Sequence, residues 1–555
     1  MWIKGLATLR ADKSPPSAMK NGRSEDAFAT LDARWILALA SRTFTPDALP
    51  MPQAHATRIH DVLAHQAGAR PDAVCLYEEG GGTVTYGQLW QQVRHAAQWL
   101  AGQGVRPGHR VLMVGENCRA MLVSMFACGI VGAWPVGVNA RLSPREIAAI
   151  RAHAQPALSL YTSGISGAAQ GHADDAEAQD ADPEVWGPGL RMAVASAPTE
   201  PETGPLAAEV ATVIYTSGTT GAPKGVMVPH RGLLHFAGIS AASRRLAPRD
   251  IGYAALPLSH IFGIATVLMA TLHAGASLVL RSRFDPADAF AALAEPGVSI
   301  LQGVPTMFSR MLASAPPRDT LRAPALRYLY TGGAALDPTL KRDAERYFGQ
   351  PMHHGYGITE YAGSMFITDI DHPRADSAVG RAVEGVQMRL GRPDATAPAQ
   401  GERGNILIRG PGVMLGYYRD PEQTARTLLP GGWLDTGDIG YLDAGGALFI
   451  AGRSKDLIIR SGFNVYPIEV ESVINAFPGV RLSAVVGRPE ADGNEEVVAF
   501  VEPLPGARVD TPRLMEHLRT QLAPYKRPAR IIPIDSIPTT VSGKILKQPL
   551  KERLA

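Results

Sequence analysis

Residues 215–230 read YTSGTTGAPKGVMVPH. Thr216, Ser217, Thr219 and Thr220, together with Gly218, Gly221 and Gly225, surround a single lysine, Lys224. The apolar run ATVIY (211–215) leads into them and reads as a strand. Hydroxyls and backbone N–H groups left open by glycine suit oxygen anions, and a lysine adds a mobile point charge. The stretch therefore reads as a phosphate clamp. It is not a Walker loop, which needs Ser or Thr directly after its lysine to hold Mg²⁺. Here Pro223 precedes Lys224 and Gly225 follows it.

Outward from this loop, strand and helix patterns alternate to about residue 350, as parallel α/β layers require. TRIHDVLAHQAGARPDAVCLYEE (57–79) predicts a helix and then a strand. TVTYGQLWQQVRHAAQWLAGQGV (83–105) predicts an amphipathic helix capped by Thr85. HRVLMVGEN (109–117) is a buried-strand pattern. Residues 163–208 are expected to interrupt this order as a solvated surface insertion. Within them lie Asp174, Asp175, Glu177, Asp180, Asp182 and Glu184, with no Lys or Arg between them. After residue 380, short strands with glycine turns predict a β-rich unit, and from about 456 a small α+β pattern follows.

The chain has 555 residues, long enough for more than one domain. Hydrophobic residues make up 45% and charged residues 19%, a globular composition. A net charge of +2 argues against a nucleic-acid partner. Three scattered cysteines give neither a metal-ligand spacing nor a disulfide framework, which fits a reducing, cytoplasmic location. No apolar run reaches membrane-span length. Residues 1–50 are expected to be a disordered tail, 51–454 a large N-terminal domain and 455–555 a C-terminal domain.

Four further motifs accompany the loop: GYGITE (355–360), WLDTGD (433–438), GRSKDLIIRSGFNVYPIEVE (452–471) and TTVSGKILK (539–547). With YTSGTTGAPKG, their order and spacing resemble the ANL adenylate-forming superfamily, in its acyl-CoA synthetase branch. The resemblance implies an α/β fold: a large multi-layer body with a β-rich subdomain and a small mobile α+β C-terminal domain. It implies an enzyme that joins a carboxylic acid to the α-phosphate of ATP with Mg²⁺, then passes the acyl group to coenzyme A. Thr216, Ser217, Gly218, Thr219, Thr220, Gly221 and Lys224 would clamp the β- and γ-phosphates. Tyr356 would stack on adenine, Thr359 would bond phosphate and Glu360 would hold Mg²⁺. Gly332 and Gly333 would pass against the acyl group and adenine. Asp438 and Arg453 would hold the ribose. Lys544 would be the catalytic lysine of adenylation, and Lys455 the hinge. Gly462 and Phe463 would line a thiol tunnel after domain rotation, and Lys526 and Arg527 would meet the CoA phosphates.

PLSHIFGI (257–264) resembles the family's acyl gate, with His260 near the carboxylate and Phe262 as lining. No aspartate lies in this stretch to pair an α-amino group, and an unpaired buried ammonium is costly, so an amino-acid substrate is disfavoured. Gly355 is expected to leave the pocket floor open for a chain or a ring. The expected substrate is a hydrophobic acid, either a medium-to-long fatty acid or an aryl acid. The alternative is a stand-alone adenylating enzyme that loads a carrier protein's phosphopantetheine thiol; a homodimer stays open.

Overall fold

The computed structural model describes residues 56–217, 223–316, 321–391, 401–460, 463–490, 494–540 and 544–554, with only the backbone of Ser217. Pro52–Ala555 cluster as one compact unit. The expected tail, 1–50, lies outside the described residues.

The body is built on a nine-stranded sheet. Its six central strands are parallel and run in the order Met352–Ile358, Tyr328–Thr331, Ile300–Gly303, Ile251–Ala254, Ser277–Leu280, Val74–Tyr77. Antiparallel strands close both edges. The central strands are almost wholly buried, as expected of parallel strands covered on both faces. Thr85 caps the helix Tyr86–Gly102: its side chain accepts from Gln88 N, and its own N–H donates to Gln88 Oε1.

A second, five-stranded sheet runs in the order Trp134–Asn139, Arg110–Gly115, Leu158–Tyr161, Arg191–Val194, Gln179–Asp180. Its last two strands come from the stretch expected to be an insertion. That expectation fails: residues 163–208 fold into the body. Ala169, Ala173, Trp186 and Leu190 are buried, while the six acids stay exposed. The acids line the solvent face of a segment whose small apolar residues are its inner face.

The β-rich unit is a five-stranded antiparallel sheet centred on Trp433–Leu442, flanked by Gly404–Arg409 and Leu448–Arg453. The C-terminal segment has its own three-stranded sheet, Val480–Pro489, Glu495–Pro503 and Arg530–Pro533, packed on the helices Pro467–Asn475 and Thr511–Gln521. The chain crosses into it through a single 3-10 turn, Ser454–Asp456. Among the described residues, no helix is long and apolar enough to cross a membrane.

Candidate active site

The quoted loop joins two antiparallel strands, Val210–Ser217 and Pro223–Pro229. The strands on either side of it pair with each other, whereas a Walker loop opens a helix. Thr216 pairs with Lys224 across the hairpin. Gly218, Thr219, Thr220 and Gly221 lie outside the described residues. The Lys224 ammonium sits over the Tyr417 ring, 5.6 Å from its centroid. The Tyr417 hydroxyl donates to Glu360 Oε1 at 2.9 Å. Tyr417 thus ties the clamp lysine to the expected metal carboxylate, a link that no motif in the sequence announced.

Glu360 and Thr359 share the 3-10 turn Thr359–Tyr361, at the end of the strand that carries Gly355 and Tyr356. The Tyr356 hydroxyl donates to Asp438 Oδ2 at 2.5 Å. Asp438 is buried, and its Oδ1 lies 3.1 Å from Arg453 Nε. Asp438 and Arg453 are direct cross-strand partners, so the register of the β-rich sheet fixes their meeting. Burial, and then Asp438, push the Tyr356 hydroxyl well above its usual range, so it stays a donor.

Lys544 enters this group from the C-terminal segment. Removal of its ammonium from water pushes it down to about 8; Arg453 and Lys455 add to that fall, while Asp438 and Glu360 oppose it. The Lys544 N–H donates to Thr540 Oγ1 at 3.0 Å and its carbonyl accepts from Thr540 N at 2.7 Å, which fixes the base of the side chain. Lys455 lies in the 3-10 turn between the body and the C-terminal sheet.

His260 also feels the charge of Lys544. Burial and the Lys544 charge lower its pKa to about 4, so the imidazole is neutral. Phe262 N donates to His260 Nδ1 at 3.2 Å, which leaves the proton on Nε2. Phe262 begins a π-helical stretch, Phe262–Met269. Gly263 lets this turn form, because a Cβ there would stand 2.1 Å from the Pro257 carbonyl oxygen. Asn117 holds the loop from outside: its Nδ2 donates to Leu256 O at 2.8 Å and its Oδ1 accepts from Leu258 N at 2.8 Å. Asn117→Ala is expected to lower kcat/KM about tenfold by releasing this loop, with a fall in Tm consistent with two lost buried hydrogen bonds. An unchanged kcat/KM would show that His260 is placed without it.

The ring of Phe262 lies against Gly332 and Gly333. A Cβ on either glycine would stand 3.6–3.7 Å from the ring, and Gly333 has φ +76°, which favours glycine. Gly355 does not leave the floor open, as had been expected. A Cβ there would meet the Tyr330 hydroxyl at 1.9 Å. Tyr330 takes the space, and only tertiary packing reveals it.

The remaining expected residues lie elsewhere. Phe463 is exposed and stacks on Tyr525 with centroids 4.7 Å apart, on the C-terminal segment. Lys526 is ion-paired with Glu469. Arg527 donates to the carbonyls of Leu522 and Arg519, and so secures its own turn. Gly462 lies outside the described residues.

Among the described residues, no three His, Cys, Asp or Glu side chains cluster as a metal cage. One carboxylate, Glu360, joined to Lys224 through Tyr417, suits Mg²⁺, which keeps water and takes phosphate oxygens. The residues present fit a Mg²⁺–nucleotide group.

The chain matches the AMP-binding enzyme family over residues 63–418, and the AMP-binding enzyme C-terminal domain over 469–544. It belongs to the AMP-binding enzyme family. A feruloyl-CoA synthase from Amycolatopsis sp is 35% identical over 88% of this chain and 97% of that protein. ATP-bound MatB from Rhodopseudomonas palustris superposes with a TM-score of 0.78 at 30% identity, over 89% of this chain and 98% of that one. The O-succinylbenzoate coenzyme A synthetase of Bacillus subtilis, in complex with ATP and magnesium, gives 0.75 at 28% identity, over 88% and 99%. This AMP-binding enzyme stands in the acyl-CoA synthetase branch of the adenylate-forming superfamily. It is an AMP-forming acid–thiol ligase, with ATP, Mg²⁺ and coenzyme A as its cofactors. The α/β body with a smaller C-terminal domain is as expected.

Proposed function

We propose that this ligase activates an aryl acid and transfers the aroyl or arylacyl group to coenzyme A. The observation that carries the reading is the acyl wall. Phe262 lies against two backbone glycines, next to a neutral His260, with no carboxylate in the 257–264 loop. An aromatic, apolar wall suits a ring, and its lack of an acid disfavours an ammonium. The feruloyl-CoA and O-succinylbenzoate relatives act on ring-bearing acids, which supports the choice of aryl over fatty acid.

In the first step a carboxylate oxygen forms a bond to the α-phosphorus, and pyrophosphate leaves as the α–β bridge breaks. Glu360 would hold Mg²⁺, which would supply charge neutralisation at the phosphates. Two anions must meet, so the barrier is electrostatic and positional. His260 Nε2–H is placed to donate to the acid's carboxylate. Lys544 brings an ammonium to the same place, and Lys224 takes the departing phosphates. Asp438 with Arg453 orients the ribose. In the second step the thiolate of CoA attacks the acyl carbon, a C–S bond forms, and AMP leaves. Lys544 must withdraw for that approach, and the turn at Lys455 is the place where the chain can swing. Lys526 becomes available to a CoA phosphate when Glu469 is drawn away; Glu469 also meets Arg403 of the β-rich unit.

The test is pyrophosphate release with ATP and Mg²⁺ over aryl, straight-chain and amino acids, with and without CoA. Turnover with an aryl acid that rises on adding CoA is expected. Preference for a straight-chain acid would overturn the substrate class. Turnover indifferent to CoA would point to a carrier-protein thiol instead.

A further inference from the structure

Tyr417 stands between two opposite charges. The Lys224 ammonium lies over its ring, and Glu360 Oε1 accepts from its hydroxyl at 2.9 Å. Lys224 and Glu360 are both half-buried, yet they do not pair with each other, and neither is ion-paired with any other described residue. Of the two Glu360 carboxylate oxygens, only Oε1 is engaged by a described side chain.

What places the ring is backbone, not either charge. Residues 414–418 run alongside the strand Pro223–Pro229, with Tyr417 bridged to Val226 in antiparallel register. Leu415 N donates to Met227 O at 2.9 Å, Met227 N to Gly416 O at 3.0 Å and Tyr418 N to Gly225 O at 2.7 Å. Met414 N donates to the Glu360 carbonyl at 2.9 Å, which fastens the same stretch to the turn that carries the carboxylate. The Tyr417 N–H donates to Thr424 Oγ1 at 2.9 Å. Successive side chains of extended backbone point to opposite faces. Tyr418 accordingly turns into the body: its ring is edge-on to Trp134, with centroids 5.8 Å apart, and its hydroxyl donates to Glu202 Oε1 at 2.6 Å. Tyr417 turns the other way, between Lys224 and Glu360, and is itself buried.

An ammonium and a carboxylate with one ring between them would pair if the ring were gone, and each would then have to leave the other before it could serve a phosphate or a metal. The ring gives the ammonium an attractive partner that does not neutralise it. The hydroxyl restrains one carboxylate oxygen and leaves the other open, as a partner behind a metal-binding carboxylate does. The two contacts support each other, because a phenol that donates to a carboxylate is more negative on its ring face. Burial, and then Glu360, push the Tyr417 hydroxyl well above its usual range, so it stays a donor. We propose that Tyr417 is a positioning residue for adenylation: its hydroxyl orients the Glu360 carboxylate, its ring holds the Lys224 ammonium, and its bulk keeps the two charges from cancelling before the nucleotide arrives. This rests on the roles given above to Glu360 and Lys224, and not on the class of acid.

The experiment measures ATP binding by calorimetry with no acid present, once in EDTA and once across a Mg²⁺ titration. It compares wild type, Tyr417→Phe, Tyr417→Leu, Glu360→Gln and the double variant Tyr417→Leu/Glu360→Gln, with thermal melts to check folding. Tyr417→Phe keeps the ring and removes the hydroxyl. The Mg²⁺ concentration for half-maximal tightening of ATP should rise about ten- to a hundredfold, the range for losing a group that orients a metal ligand, while the Kd in EDTA stays within about threefold of wild type. Tyr417→Leu also removes the ring and lets the charges pair, so its Kd in EDTA should rise about three- to tenfold. Glu360→Gln should restore more of that metal-free affinity in the leucine background than it adds in wild type, because only there does it also release Lys224. A folded Tyr417→Phe that weakens ATP equally with and without Mg²⁺ would make Tyr417 a packing residue and overturn the proposal. So would an unchanged Mg²⁺ titration in Tyr417→Phe beside a lost one in Glu360→Gln, which would leave the role of Glu360 standing. A Glu360→Gln variant with the full Mg²⁺ response would sink that role and the proposal with it.

Discussion

Lys544→Ala is expected to lower pyrophosphate release by about 10²–10³-fold, the loss typical of removing one preorganised charge from a transition state. The fall should appear in kcat more than in KM for the acid, because the ammonium matters most as negative charge gathers between carboxylate and phosphate. Supplied with a pre-formed acyl-adenylate, the same variant should still make the thioester if, as proposed, Lys544 has no part in thiol attack. Equal loss in both half-reactions would remove the lysine from this role. The pH profile gives a second reading. Lys544 is pushed down to about 8, so its charge is present below that pH and lost as pH rises through it. The kcat/KM for adenylation, which reports the free enzyme, should therefore fall on an alkaline limb near 8. Lys544→Arg keeps its charge at high pH, so whatever activity it retains should lack that limb. A limb that survives in the arginine variant belongs to another group.

Much of this site could be read from the sequence because its parts are local. Asp438 and Arg453 each lie in a short motif, and one strand register brings them together. Tyr356, Thr359 and Glu360 follow one another along a strand and the turn that ends it. What the sequence hid depends on contacts between distant segments. Gly355 taken alone implied an open floor, and the residue that closes it comes from the neighbouring strand. The alternation of Tyr328 and Tyr330 along YLYT was the only local sign that two aromatic rings share a face. Lys526 and Arg527 read as free cations, yet a carboxylate 57 residues away and nearby backbone carbonyls engage them. Residues 163–208 were misread for a related reason. Their charged, exposed side dominates the composition, while most of the buried positions are alanine, whose weak apolar signal did not mark a core face.

Asp438→Asn is expected to raise KM for ATP about ten- to a hundredfold and to affect the acid far less. In the present arrangement one buried carboxylate accepts from the Tyr356 hydroxyl and faces Arg453, so both of its oxygens are already oriented before nucleotide arrives. Asparagine keeps the shape but replaces one acceptor with a donor, directed at Tyr356 or at Arg453. Hydrogen bonds to a charged group are worth roughly 1.5–3 kcal/mol, which sets the size of the effect. The ribose assignment makes a sharper demand. If Asp438 accepts from the ribose hydroxyls, 2′-deoxy-ATP should be a poorer substrate for wild type, and that penalty should shrink in Asp438→Asn. The double comparison separates contact with the ribose from a general loosening of the site, because loosening would weaken both nucleotides alike. A full 2′-deoxy penalty persisting in the variant would assign the ribose to another residue and leave Asp438 as the group that orders Tyr356 and Arg453.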